Sequence, residues 1–271
     1  MPDRLAPNSL LAKLDTQPRV RDFLARAVTS GRASHAYLFL GSPGSGKLDA
    51  AWALAQALLC GEDGVSGACA SCDDCGRVAR RTHPDVHYFA PESATGYLIA
   101  QTRELLEDVA LAPIRAKAKV YIVDRAEQLR ANTANALLKT LEEPPSHVIF
   151  VLCTTDPQKI LETILSRCQR FDFHRISNDD IIGRLRYICE QEGFAFDEEA
   201  LEVVARHARG GMRDALSTLE QLSVFGDGSV RIDDARALLG EVASTVLSEF
   251  ACKMAVRDTV GLFGLIRAQG D

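Results

Sequence analysis

The chain has 271 residues, of which 46% are hydrophobic and 25% charged, and its formal net charge at pH 7 is −6. This length is typical of two or more domains, and the composition is that of a globular protein. The acidic balance argues against a strongly basic nucleic-acid-binding protein, and no apolar run approaches the roughly 20 residues that span a bilayer. Because the N-terminus lacks a signal-peptide core, we expect a cytoplasmic protein with no membrane partner.

The first elements in chain order are a helix, a strand and a glycine loop. The amphipathic segment PRVRDFLARAVTSG ends at Gly31, and AYLFL (36–40) is typical of a buried strand. The loop GSPGSGK comes next, and LDAAWALAQALLC continues with helical composition. Strand, loop and helix in this order are the context in which a phosphate-binding loop occurs.

The loop has the spacing G-x-x-x-x-G-K, supplied by Gly41, Gly44, Gly46 and Lys47. Such glycines let backbone N–H groups face phosphates, while the lysine reaches the outer phosphates. The next residue should be Ser or Thr, whose hydroxyl binds Mg²⁺, but it is Leu48, which cannot coordinate a hard cation. A glycine turn without a ligand is the alternative. The context favours a degenerate nucleotide site without magnesium, and it leaves ATP binding open.

Four cysteines follow within sixteen residues: Cys60, Cys69, Cys72 and Cys75. Their spacing, C-x8-C-x2-C-x2-C, suits four thiolates around one tetrahedral Zn²⁺ with no open ligand position, which is a structural site. An iron–sulfur cluster is the rival interpretation, but the further cysteine before proline that this motif needs is absent. Free thiols are the remaining alternative. The polar, glycine-rich surroundings predict an insert that a structural zinc ion orders.

Short apolar runs then alternate with helical segments, which predicts a parallel sheet covered by helices on both faces. The strands are VHYF (86–89), KVYIV (119–123) and VIFVLC (148–153); the helical segments are QTRELLEDVAL, ANTANALLKTLEE and PQKILETILSRC. VYIVD ends in Asp124, as the second nucleotide-binding element of a P-loop ATPase does. The next position, where such ATPases place a catalytic glutamate, is Arg125, and we expect Glu127 to point away. Two parts of the hydrolytic machinery are therefore missing together.

The pattern changes after about Phe173, where four short helical segments are separated by polar or glycine breaks. We predict a P-loop domain over 1–174 with the zinc module at 60–75 inserted, and a helical domain over 175–242. Residues 243–271 are helical but too few for an independent core, which indicates the beginning of a third, truncated helical domain.

Two arginines stand at helix ends. Arg167 lies in SRC (Ser166, Arg167, Cys168), and Arg213 lies in GGMRDA. Taken alone, each is typical of a solvated charge, and a cation at a helix C-terminus such as Arg167 is favoured by the helix dipole.

Together the motifs resemble the bacterial clamp-loader family of AAA+ proteins within the DNA polymerase III holoenzyme. The resemblance is carried by HAYLFLGSPGSGK, the four-cysteine insert, THPDVH, NALLKTLEEPP, TTDPQKILETILSRCQRF and GGMRDALS, and it covers about residues 17–240. Within the family, Leu48 and Arg125 favour the non-hydrolysing delta-prime branch over the gamma/tau motor branch. An active motor that tolerates Leu48 and, more distantly, a stand-alone P-loop phosphotransferase are the alternatives.

The resemblance implies a role for each site residue. Arg167 would be the arginine finger that enters a neighbouring subunit's ATP site, and Arg213 would occupy the lid sensor position. Thr154 and Thr155 would lie in the sensor region after the fourth strand. The implied partners are the other clamp-loader subunits (gamma/tau and delta), the sliding clamp indirectly, and primer–template DNA through its backbone at most.

Overall fold

The computed structural model describes residues 5–62, 67–93, 96–129, 131–240 and 244–268. The chain forms two compact units, Met1–Arg175 and Ile176–Asp271. The predicted boundary at 242/243 and residues 63–66 of the predicted zinc module lie outside the described residues. Among the described residues, no helix is long and apolar enough to cross a membrane.

The first unit contains a five-stranded sheet in which all neighbouring strands pair in parallel. The strands are β1 (Ala36–Gly41), β2 (Val86–Phe89), β3 (Lys119–Val123), β4 (Val148–Thr154) and β5 (Gln169–Phe173), in the order β2-β3-β4-β1-β5. The predicted α/β fold with a parallel sheet is confirmed. Parallel strands place all their carboxyl ends at one edge of the sheet, and this edge carries the candidate site.

Helices cover the sheet because its strands are apolar on both faces, and two hydrophobic clusters fill the space between the layers. The helices of this unit are α1 (Pro18–Thr29), α2 (Lys47–Leu58), α3 (Asp73–Ala79), α4 (Ile99–Val109), α5 (Ala131–Glu142) and α6 (Glu162–Leu165). The strand β5 and the helix α3 were not predicted. The strand QRFDF has only two buried side chains, so its apolar signal is weak although it pairs with β1.

The predicted helix PQKILETILSRC is wrong in its extent. Asp156 accepts a hydrogen bond from the backbone N–H of Gln158 and caps a 3-10 turn over Pro157–Lys159. Ile160 and Leu161 are then extended, and the single-turn α6 follows. This break lets Ile160 and Ile164 both reach the core, so tertiary packing overrides the helical periodicity.

The second unit contains four helices around a separate core, α7 (Asn178–Glu192), α8 (Glu198–Ala208), α9 (Met212–Phe225) and α10 (Ile232–Leu239). The four helices agree with the four segments predicted there. A two-stranded parallel pair, β6 (Ala195–Phe196) and β7 (Ser229–Val230), was not predicted. Two further helices, α11 (Ser244–Ala255) and α12 (Thr259–Ala268), pack on each other. Large apolar side chains on them stay exposed, including Val260 and Phe263.

Candidate functional site: a degenerate phosphate-binding loop

The loop between β1 and α2 has the backbone of a phosphate-binding loop. Gly44 and Gly46 have φ values of 70° and 88°, in the left-handed region that glycine adopts at no steric cost. At position 41 glycine is required for a steric reason, because a Cβ atom there would lie 2.7 Å from the carbonyl oxygen of Phe173 on β5. The three predicted glycines therefore shape the turn that precedes the N-terminus of α2.

Lys47 is buried and folds over the loop. Its ammonium group donates hydrogen bonds of 2.7 Å to the carbonyl oxygens of both Gly41 and Ser42. Burial lowers the pKa of Lys47, and the neighbouring Cys153, Asp124 and Glu127 oppose that shift. The lysine thus lies among the acidic groups at the carboxyl edge of the sheet.

Leu48 occupies the position of the expected magnesium ligand. Its half-buried side chain packs against the apolar cluster beneath α2. Two other hydroxyl groups are close in sequence, on Ser42 and Ser45, and both are buried without a hydrogen-bond partner among the described residues. Neither hydroxyl stands at position 48, where the magnesium ligand is expected.

The second predicted nucleotide-binding element, β3 followed by Asp124, is present, and the chain turns sharply after it. One carboxylate oxygen of Asp124 accepts the Tyr88 hydroxyl at 3.3 Å, and the other accepts the backbone N–H of Arg125 at 2.9 Å. Arg125 has φ 48° and ψ 50°, a left-handed conformation in a residue that is not glycine. Its side chain is exposed. The assignment of Arg125 to the position of a catalytic glutamate rests on the sequence motif and stays a prediction.

The expectation that Glu127 points away from the site is wrong. The left-handed Arg125 begins a 3-10 turn over Ala126–Gln128, which returns Glu127 to the carboxyl edge of the sheet. The Glu127 carboxylate accepts the hydroxyl of Thr154 at 2.6 Å and that of Thr155 at 3.2 Å. The sequence offered no signal for this contact, because it depends on one backbone conformation and on the ends of two strands.

Arg167 follows α6 and is held within its own unit. Its guanidinium donates to the Thr163 carbonyl at 2.6 Å and to a Glu142 carboxylate oxygen at 2.8 Å. About a third of the side chain is exposed, so the guanidinium lies at the surface and must leave Glu142 to reach another molecule. Burial raises the pKa of Cys168 to about 12, which makes the last residue of SRC a packing thiol.

Arg213 is exposed in the first turn of α9, in the second unit. Lys47 and Asp124 belong to the first unit. The assignment of Arg213 to the lid sensor position therefore rests on the sequence motif and stays a prediction.

The four clustered cysteines converge. Their sulfur atoms, on Cys60, Cys69, Cys72 and Cys75, all lie within 4.8 Å of one another, and the Cys69 and Cys75 sulfurs are 3.8 Å apart. A tetrahedral zinc ion with Zn–S bonds of about 2.3 Å separates its sulfurs by roughly 3.8 Å. Burial opposes ionisation of Cys69, but hydrogen bonds from Ser71 and Cys72 outweigh it and hold the pKa of Cys69 at about 6. The donor set fits a structural zinc ion.

The helix α3, which contains Cys75, is tied to the loop before β3 by charged side chains. Cys72 caps α3, and the carboxylates of Asp73 and Asp74 both accept hydrogen bonds from Arg115 at 3.0 Å. The backbone of that loop is fixed in turn by the buried Asp85, which accepts three backbone N–H groups, those of residues 114, 115 and 116. This connection was not predicted, since it joins segments about 30 and 40 residues apart.

Comparisons with known proteins agree on one family. A family model described as "DNA polymerase III, delta subunit" matches residues 16–177. A second model, described as "DNA polymerase III clamp loader subunit, ATPase lid domain", matches residues 180–228. Together the two models cover the sheet and the helices α7, α8 and α9 of the second unit.

Individual relatives give the same result. DNA polymerase III subunit tau of Bacillus subtilis is 40% identical over 235 residues, which is 87% of this chain and 41% of that protein. The tau subunit of Escherichia coli is 41% identical over 83% of this chain and 34% of that protein. The gamma subunit of Buchnera aphidicola is 36% identical over 94% of this chain and 71% of its own length. This chain thus spans well under half the length of the two tau relatives.

Solved structures show the fold. The RuvB Holliday junction branch migration motor of Thermotoga maritima superposes with a TM-score of 0.57 over 95% of this chain and 82% of its own, at 15% identity. At this identity the similarity concerns architecture alone.

Proposed function

The chain belongs to the AAA+ clamp-loader family of DNA polymerase III, and on that premise we propose that it is a loader subunit without ATP turnover of its own. In this role it resembles a delta-prime subunit, a scaffold in the cytoplasmic assembly that places the sliding clamp on primed DNA. The observation that supports this most is Leu48, a half-buried apolar side chain that packs against the core where the metal ligand should stand. Without a bound cation, the charge that develops on a transferred phosphoryl group is not neutralised.

Arg125 supports the same proposal. A glutamate at this position would polarise the attacking water, whereas an exposed guanidinium cannot accept the proton. The test is phosphate release from ATP and Mg²⁺ by the isolated chain. We expect none above the buffer rate from the wild type or from Leu48→Thr, because Arg125 remains in the variant. Turnover by the wild type contradicts the proposal, and turnover by Leu48→Thr alone contradicts the role given to Arg125.

A gamma/tau-type motor is the second candidate. Two observations favour it: the relatives named above are tau and gamma subunits, and the carboxylate of Glu127 reaches the site. If the chain is a motor, phosphate release by the wild type should be measurable, and Glu127→Gln should abolish it. The same assay therefore separates the two candidates.

Arg167 is proposed to act on a neighbouring subunit. A planar guanidinium can stabilise the charge of a transferring phosphoryl group, and its present partner Glu142 is an exposed carboxylate that it can exchange for another anion. The partners proposed are the gamma/tau and delta subunits, with DNA contacted only through its backbone.

The four-cysteine cluster is proposed to hold zinc in a structural role, because its four thiols leave no ligand position open. Residues 1–174 are proposed as the AAA+ domain, 175–242 as the lid, and 243–271 as a third helical region. Arg213 is proposed as a remnant of the lid sensor.

A further inference from the structure

The Glu127 carboxylate occupies a place that the sequence did not assign to it. Thr154 ends β4 and lies in register with Leu40, one residue before the first glycine of the phosphate loop. Thr154 is buried, and its hydroxyl donates to Glu127 at 2.6 Å. Since Thr155 donates to the other carboxylate oxygen, both oxygens are fixed beside the loop.

This edge carries two carboxylates, on Asp124 and Glu127, and one buried cation, on Lys47. Asp124 and Glu127 both act on the Lys47 ammonium, which is the cation that reaches outer phosphates in such loops. In a working site a bound Mg²⁺ offsets the acidic groups, but Leu48 supplies no ligand for it. A third phosphate bound at the loop would therefore meet the Glu127 carboxylate without a compensating cation.

The hydroxyl groups of Thr154 and Thr155 also disfavour a third phosphate. Thr154 and Thr155 could donate hydrogen bonds to an outer phosphate, but both already donate to Glu127. A third phosphate would have to displace these bonds and approach a fixed negative charge at short range. The first two phosphates would be served by the loop backbone and by Lys47.

We propose that Glu127 determines nucleotide specificity, so that this site accepts a nucleoside diphosphate without a divalent cation and rejects the triphosphate. The inference rests on the proposed function, since it assumes a site that does not turn over. The ligand of the loop is then a nucleoside diphosphate, and the role of Glu127 is to exclude the terminal phosphate.

The experiment is a titration of the isolated chain with fluorescent N-methylanthraniloyl ADP and ATP in EDTA. We expect the wild type to bind the diphosphate about tenfold more tightly, a ratio that one unfavourable charge contact worth about 1.4 kcal/mol supplies. In Glu127→Gln the ratio should fall below about three, mainly through tighter ATP binding. Glu162→Gln, which removes the same charge from an exposed position on α6, should keep the wild-type ratio.

Three outcomes overturn the inference: equal or tighter binding of ATP by the wild type, an unchanged ratio in Glu127→Gln, or no binding of either nucleotide. Circular dichroism of each variant checks that it is folded. Phosphate release, measured on the same samples with Mg²⁺, separates this inference from the proposed function. A wild type that binds ATP as well as ADP but releases no phosphate defeats the inference alone, whereas a wild type that releases phosphate defeats both.

Discussion

At the scale of single residues, one left-handed residue determines which carboxylate reaches the candidate phosphate-binding loop. Arg125, with φ 48°, ends the path of β3 and starts the turn that brings Glu127 back to the threonines at the end of β4. A substitution at 125 therefore changes both a side chain and the probability of that turn. Glycine tolerates a left-handed conformation better than arginine does, so Arg125→Gly should preserve the turn.

The first prediction concerns Arg167. Arg167→Ala should fold normally, because an exposed ion pair such as the one with Glu142 contributes about 0.2–1 kcal/mol. In the reconstituted loader, however, the DNA- and clamp-stimulated ATPase should fall, since a finger arginine is worth roughly 10³-fold or more at the site it serves. The decrease in the total ATPase of the loader is smaller if its other ATPase sites keep working. Arg167→Lys should restore little, because a point charge lacks the planar fork.

The control for this prediction is Arg170→Ala, which removes an exposed arginine that pairs with Asp172 on β5. It should leave the ATPase of the loader unchanged. Wild-type ATPase and clamp loading in a fully assembled Arg167→Ala complex would show that Arg167 only ends a helix.

At the scale of elements, the cysteine cluster, α3 and the loop around residues 114–116 form one connected structure. The cysteines position α3 through the cap at Cys72, α3 binds Arg115 through two carboxylates, and Asp85 fixes the backbone of that loop. Loss of the proposed zinc ion should therefore spread along these contacts, while the face of the sheet that α4 and α5 cover keeps its own core.

The second prediction is that purified, unchelated protein contains about one zinc ion per chain, measured by elemental analysis. Cys72→Ser should lose the metal and increase hydrogen exchange in α3, with little change in β1, β3 and β4. Cys252→Ser, which changes an exposed cysteine on α11, should keep both the zinc and the exchange pattern. Protein without zinc, or with iron in its place, contradicts the assignment.

The third prediction concerns Asp85. Burial raises the pKa of this carboxyl group, but the three backbone N–H donors at 116, 114 and 115 outweigh burial and lower it. Asp85→Asn leaves at least one of these part-buried donors without its partner, so we expect a loss of about 1–3 kcal/mol in the free energy of unfolding. Asp172→Asn, at an exposed position, should cost less than about 1 kcal/mol.

The pH dependence follows from the direction of that shift. Because the folded pKa of Asp85 lies below its unfolded value of about 3.9, the ionised carboxylate stabilises the protein fully above that value. The contribution is lost as the pH falls through the folded pKa. The free energy of unfolding of the wild type and of Asp85→Asn should be measured by denaturation between pH 3 and pH 7. The difference between the two should be constant at neutral pH and shrink in acid. A difference that grows in acid would reverse the assigned sign.

At the scale of the whole molecule, two compact units have separate apolar cores. The sheet unit carries the loop and the cysteine cluster, and the second unit carries Arg213. Units with separate cores can unfold in separate steps, so a single free energy of unfolding need not describe the chain.

The fourth prediction tests this independence. Leu201 is completely buried in the core of the second unit, and Leu201→Ala should destabilise that unit by about 2–5 kcal/mol. Hydrogen exchange should then increase in α7–α10 and stay unchanged in the sheet. Leu152→Ala, at a completely buried position of β4, should give the converse pattern. Equal acceleration throughout the chain for both variants would mean that the two units unfold as one.

The sequence by itself determined the features that depend on local pattern. The alternation of apolar runs and helical segments predicted the parallel sheet, because each element must bury one face. The glycine spacing predicted the loop, since only glycine adopts its left-handed angles without cost, and the cysteine spacing predicted the cluster of four sulfurs.

Only the tertiary structure determined which distant residues meet. The bonds from Thr154 to Glu127 and from Arg167 to Glu142 join positions 27 and 25 residues apart, and the sequence contains no periodic signal for either. The break before α6 also depends on the tertiary structure, because Ile160 and Ile164 fill space in the core beside the sheet. The edge strand β5 depends on its pairing with β1. Periodicity reports which face of an element is buried, whereas strand register and one left-handed turn determine which side chains lie together at the end of the sheet.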